Sequence, residues 1–363
     1  MLSKSTNSVN FQKISPFLRD GTIERPPTKT DIHLLTAWKS STLLGYTSAV
    51  SKFIRFQKHT GTSSFCLPIT ESMLEEFCIW AGRNAVSSNA GKISSLSLHK
   101  YVAGLKAWHV YHNAAFPTRN KTRVDLILKA SSREDEAATK KPPKVPIMFW
   151  HMSHLWLSLT KGDDFDKALL DMVIVAFWGL ARLAELTYTT ETGDVSFVDS
   201  LLTSDVTLGA DTLFGETVTL TLRNAKTGLP GEPQLITLAE QRHVLCPVLA
   251  IKRRLSSAEG ARTSLFGYGA VHHRRHLTRK QAVARLETVL ENGGYAGLTG
   301  HSFRVGGASF RAAFGMSISD ICLLGRWKSD SYKLYLRVYS SDDLKKTKAL
   351  VRQFKRSGAR MDM

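Results

Sequence analysis

The sequence predicts a mostly α-helical protein of two domains with one small β-sheet. Three observations predict it. Apolar residues recur at helical spacing along most of the chain. One stretch, "TVTLTLRNAKTGLPGEPQLITLA", alternates apolar and polar positions instead. And "SSREDEAATKKPPKVP", residues 131–146, is charged, ends in prolines and has no apolar period, as a linker does. At 363 residues the chain exceeds one ordinary core, and 43% hydrophobic residues suffice for two.

Each element follows in order. Residues 1–35 are polar, carry "RPPTKT", and read as a flexible arm. Residues 36–130 read as a helical domain. "GYTSAVSKFIRFQKHTG" sets Tyr46, Val50, Phe53 and Ile54 at helical spacing before a glycine stop. "TESMLEEFCIWAGRN" opens with Thr70 as N-cap. "SLHKYVAGLKAWHVYHNA" turns Tyr101, Leu105 and Trp108 inward, and "TRVDLILKASSR" is a fourth helix. Lys92, Lys100 and Lys106 are left outside as a candidate nucleic-acid surface, or simply a solvated face.

Residues 147–345 read as a second domain. "DDFDKALLDMVIVAFWGLARLAELTY" is one strong helical pattern. Val218, Leu220 and Leu222 alternate in a strand that returns at "QLITL", a hairpin with Lys226 at the start of its loop. Helical segments resume to the end, and residues 346–363 form a basic tail. The longest apolar run, Met172 to Ala181, lies between Asp171 and Arg182 and is too short to span a bilayer.

The net charge is +18 and the pI about 9.8, which points to a polyanionic partner, nucleic acid before membrane. Cys66, Cys78, Cys246 and Cys322 are scattered without a CxxC pair, as reduced thiols of an intracellular protein are. No apolar leader follows "MLSKSTNSVNFQK". The histidines at 109 and 112, 151 and 154, and 272, 273 and 276 lack a completing carboxylate or cysteine, so no metal is expected. No P-loop, GxGxxG, GxSxG or HExxH occurs, and no cofactor is expected.

Single residues remain ambiguous. Arg182 interrupts an apolar run, and Glu185, three residues on, could be its structural partner. "GHSFRVGGASF" sets His301 and Arg304 on one face of a helix start, an anion site or a core histidine. Lys226 alone is a surface lysine, and Trp327 alone is core.

Taken in order, these residues resemble the tyrosine recombinase (integrase) family. Its pattern is Arg, Lys, His-x-x-Arg, His or Trp, then Tyr. Here it is met by Arg182 in "GLARLAEL", Lys226, His301 and Arg304 in "GHSFR", Trp327 in "LGRW" and Tyr335 in "YLR". "LCPVLAIKRRL" and "GRWKSDSYKLYLR" are most similar to eukaryotic mobile-element recombinases of the Crypton and DIRS-like groups. The resemblance implies a two-domain clamp on double-stranded DNA: a helical core-binding domain and a catalytic domain, tetrameric on DNA, in the nucleus. It implies strand cleavage by tyrosine, with a 3′-phosphotyrosyl intermediate and no metal or ATP. Two arginines would clamp the non-bridging oxygens, with Glu185 holding Arg182. Trp327 and His301 would donate hydrogen bonds, and Lys226 would protonate the leaving 5′-oxygen. The tail could be exchanged between subunits.

Tyr332, Tyr335 and Tyr339 fall on one face if "KSDSYKLYLRVY" is a helix capped by Ser329 or Asp330. The family spacing from the His or Trp to the nucleophile is one residue longer than Trp327 to Tyr335. Tyr332 is too close and Tyr339 too far, so Tyr335 is the expected nucleophile, with Tyr339 second. Alternatives are a catalytically inactive DNA-binding descendant and a type IB topoisomerase, which would lack the His of His-x-x-Arg. A nuclease or a structural basic protein is a third class.

Overall fold

The computed structural model describes residues 10–85, 91–117, 121–138, 145–213, 215–225 and 231–358. The chain divides into two compact units, 1–142 and 143–363.

The first unit is helical: a 3-10 turn (Phe11–Ile14), α1 (Ser15–Leu18), α2 (Lys29–Leu35), α3 (Ser40–His59), α4 (Glu71–Ala81), α5 (Ser95–Tyr111) and α6 (Lys121–Ala137). Thr70 caps α4 by accepting from the Met73 N–H at 3.2 Å. Fully buried Phe53, Phe77 and Trp108 converge from α3, α4 and α5. Each such ring stabilises the fold by roughly 2–3 kcal/mol through burial.

Two sequence expectations fail here. Residues 10–35 are not a flexible arm. Ile14, Phe17 and Leu35 enter the core, and Arg19 O accepts from Trp108 Nε1 at 2.9 Å. Polar residues between these apolar anchors hid the pattern. The expected linker also starts too early: α6 runs to Ala137, burying Val124, Leu128 and Ser131.

The second unit holds α7 (Phe149–Leu159), α8 (Asp164–Trp178), α9 (Leu183–Leu186), β1 (Val206–Asp211), β2 (Gly215–Leu222), β3 (Gln234–Ala239), α10 (Pro247–Ser256), β4 (Gly267–Tyr268), β5 (Arg275–His276), α11 (Arg279–Asn292), α12 (Ser302–Ala313), α13 (Ile318–Gly325) and α14 (Ser341–Gly358). The protein is thus mostly helical with small antiparallel sheets, β1–β2–β3 and β4–β5. Val218 pairs with Leu238 and Leu220 with Ile236, all facing the core. Among the described residues no helix is long and apolar enough to cross a membrane.

The single helix expected over "DDFDKALLDMVIVAFWGLARLAELTY" is broken. α8 ends at Trp178, because a Cβ on Gly179 would stand 2.5 Å from Ile236 Cγ2 and Leu180 takes φ 46°. The chain restarts as the short α9, with Arg182 at its N-cap. α12 then packs tightly behind: Cβ atoms on Gly306 and Gly307 would lie 2.0 Å from Ile147 O and 2.1 Å from Phe177 O. α14 packs on α7 of its own chain, where Phe354 meets Phe149 and Trp156.

Candidate active site

The break after α8 takes Arg182 out of an apolar helix and sets it at a helix start. Its Nη1 donates to Glu185 Oε1 at 2.6 Å and its N–H to Glu185 Oε2 at 2.9 Å. Burial pushes the Glu185 carboxyl upward, but Arg326 and Arg182 outweigh that and hold it below the ordinary range.

His301 stands at the N-cap of α12 and Arg304 in its first turn. Arg304 is fully buried. Its Nη1 donates to Leu180 O at 2.7 Å and its Nη2 to Gly325 O, while Nε has no acceptor among the described residues. Both bonds go to neutral carbonyls, so its charge is not cancelled by a direct carboxylate partner. Burial, then the charges of Arg182 and Arg326, push its pKa down to about 10.

The end of α13 supplies the aromatic wall. A Cβ on Gly325 would fall 1.9 Å from Trp327 Cζ3, so only glycine lets the indole fold back. The Arg304 guanidinium lies 4.5 Å from the Trp327 ring and 5.6 Å from the Tyr335 ring. Tyr335 lies 5.2 Å from Trp327 and 6.2 Å from His301, ring centre to ring centre.

The tyrosine segment is not the helix that the sequence suggests. It is a 3-10 turn (Asp330–Leu334) capped by Ser329, with Tyr335 at its end and no helix until Ser341. Ser329 accepts from Ser331 N–H, a tight turn that replaces the first helical turn. The three tyrosines therefore part. Tyr335 meets the cationic cluster. Tyr339 packs on the main core, its hydroxyl buried, with burial and then Asp343 driving its pKa well up. The Tyr332 ring has the Lys333 ammonium 6.0 Å from its centre.

Sequence reasoning missed Arg326. Its side chain is 9% exposed and its Nη2 donates to Glu185 Oε2 at 2.8 Å. Lys226 lies outside the described residues.

The three candidate lysines of the first unit have different surroundings. Lys92 donates to Ile79 O at 3.3 Å and Trp80 O at 2.5 Å on α4, and its charge lies near Lys52. Lys100 and Lys106 are exposed on α5 but lie about 120° apart around it. A basic cleft of 450 Å³ instead gathers Lys13, Lys52 and Arg55 on and beside α3, with Tyr101 at its wall.

No protein-family model matches the chain, and no curated protein does. Solved structures do. The XerH site-specific recombinase in a post-cleavage complex with palindromic difH substrate superposes with a TM-score of 0.52 at 13% identity, over 85% of this chain and 79% of that one. A lambda integrase dimer bound to a COC′ core site gives 0.51 at 13% identity, over 86% and 94%. The chain has the tyrosine recombinase fold. The Tn1549 transposon integrase, in complex with a circular intermediate DNA, gives 0.50 at 13% identity over 93% and 99%. At such identities the likeness is one of fold.

Proposed function

We propose that this protein cleaves and rejoins DNA strands, using Tyr335 as nucleophile. The observation that carries the reading is Arg304: a buried guanidinium, bonded only to carbonyls, facing a phenol and an indole. Burying such a charge is costly unless an anion repays it. A phosphodiester under attack supplies that anion, because negative charge grows on its non-bridging oxygens.

The step balances without an outside reagent. The Tyr335 oxygen attacks phosphorus and loses its proton, with His301 as the base, and the bond to the 5′-oxygen breaks. Lys226 gives that oxygen a proton. The product is a 3′-phosphotyrosyl link and a free 5′-hydroxyl, and the reverse reaction reseals a strand. Arg182 and Arg304 clamp the two non-bridging oxygens, and the Trp327 indole N–H donates a further hydrogen bond.

The +18 charge and the basic cleft at Lys52 and Arg55 support duplex DNA as substrate. Excision or integration of a mobile element, by a tetramer in the nucleus, extends the reading on the likeness of "LCPVLAIKRRL" and "GRWKSDSYKLYLR" to Crypton and DIRS-like recombinases. The test is a nicked duplex that traps the adduct. Wild type and Tyr339→Phe form a protein–DNA band on a denaturing gel, and Tyr335→Phe forms none. An adduct that survives in Tyr335→Phe and disappears in Tyr339→Phe moves the nucleophile.

A further inference from the structure

Arg326 occupies a costly place. It is the C-cap of α13 with φ 57°, the left-handed conformation that glycine usually fills at a helix end. The chain sets an arginine there and buries it. Consecutive residues of this turn serve opposite sides of the cluster. Trp327 covers Arg304, and Arg326 reaches Glu185 from the side away from Arg182's guanidinium.

The Glu185 carboxylate is therefore shared. One oxygen takes Arg182 Nη1, and the other takes the Arg182 N–H and Arg326 Nη2. Glu185 is 8% exposed, so water screens these charges little. Paired with Glu185 alone, Arg182 would be one half of a neutral couple, and only Arg304 would offer net charge. With Arg326 present, three guanidinium groups face one carboxylate, and two net positive charges remain. Nε and Nη1 of Arg326 are buried without an acceptor among the described residues, so the cluster holds more donors than its own acceptors use.

We propose that Arg326 is a positioning residue for strand cleavage: by occupying Glu185 it keeps Arg182 from being neutralised, so that Arg182 still presents charge to the scissile phosphate. Arg326 does not itself touch the phosphate. This rests on the strand-cleavage reading above.

Single-turnover adduct formation on the nicked duplex tests it, with DNA binding measured separately. Arg326→Ala slows adduct formation about 100-fold, the scale of losing one charge stabiliser, and leaves DNA affinity within about threefold. Adding Glu185→Gln to Arg326→Ala removes the charge that was left unbalanced and restores at least about tenfold. Arg326→Lys keeps most of the rate. A purely structural role predicts the opposite for the double variant, which would lose two ion-pair partners and fall further. If Arg326→Ala fails to melt cooperatively, Arg326→Gln, with and without Glu185→Gln, takes its place. A double variant no faster than its single parent overturns the proposal, as does a single variant that matches wild type. If wild type itself forms no adduct, the strand-cleavage reading falls and takes this inference with it.

Discussion

The second unit buries two clusters built from the same parts. On α8 and α10, Asp171 is 1% exposed, accepts from Arg253 Nε at 3.0 Å and forms an ion pair with Arg254, Nε to carboxylate oxygen 2.7 Å. At α9 and α13, Glu185 takes Arg182 and Arg326. Each is one carboxylate between two arginines. Each also has a third arginine bonded to carbonyls, Arg274 beside Arg254 and Arg304 beside Arg182; the difference is that Arg304 is walled by Trp327 and Tyr335. The first cluster joins two helices. The second carries a surplus of charge and donors beside a phenol. Buried charge alone does not distinguish the two; the phenol and indole beside Arg304 do.

The largest effect should come from Arg304. Arg304→Ala is expected to slow adduct formation about 1,000-fold or more, at the upper end for a lost oxyanion donor. Asp171→Asn should do the reverse: unfolding measured by urea shows a loss of about 3–5 kcal/mol, while the rate of the folded fraction is unchanged. Equal slowing by both variants would erase the contrast between the clusters.

A smaller effect sharpens it through pH. His151 and His243 are buried, and burial first, then the lysines of α14, Lys346 and Lys355, push both down to about 4. The unfolded chain, with histidines near 6.5, binds these protons first. Stability is therefore full above about pH 6.5 and falls as the pH drops towards 4, by at most about 3 kcal/mol for His243. Melting curves of His243→Phe should lose most of that slope. A slope that persists unchanged would place the acid sensitivity in carboxylates held below their ordinary range, Glu185 among them.

The smallest effect lies in the first unit. Lys92→Ala should cost about 1 kcal/mol of stability through lost hydrogen bonds and leave the salt dependence of DNA binding alone. Lys52→Ala, in the cleft, should lower the slope of log affinity against log salt by about 1. The opposite pattern would return Lys92 to the binding surface.

The site was legible where its residues come in contiguous words. "GHSFR" carries His301 and Arg304 on one helix start, and "ARLAEL" carries Arg182 with Glu185. Arg326 was not, because the sequence cannot show that a helix ends in a left-handed turn when no glycine follows it. The break at Gly179 was hidden for a related reason: apolar residues run straight through it, and only the approach of Ile236 from β3 makes it necessary. β1 was missed because it is mostly exposed and its burial does not alternate. The tyrosine helix was over-read, since a spacing of three and four suits both a helix and a 3-10 turn followed by extended chain.

Ser309, buried in α12, accepts from Arg337 N–H at 2.9 Å, and its hydroxyl lies 3.3 Å from Tyr335 O. That one hydroxyl rivets the backbone around Tyr335 to the helix that also bears Arg304. Tension arriving along the chain from α14 is therefore stopped two residues beyond the phenol. The phenol and the Arg304 guanidinium are thereby referred to the same helix.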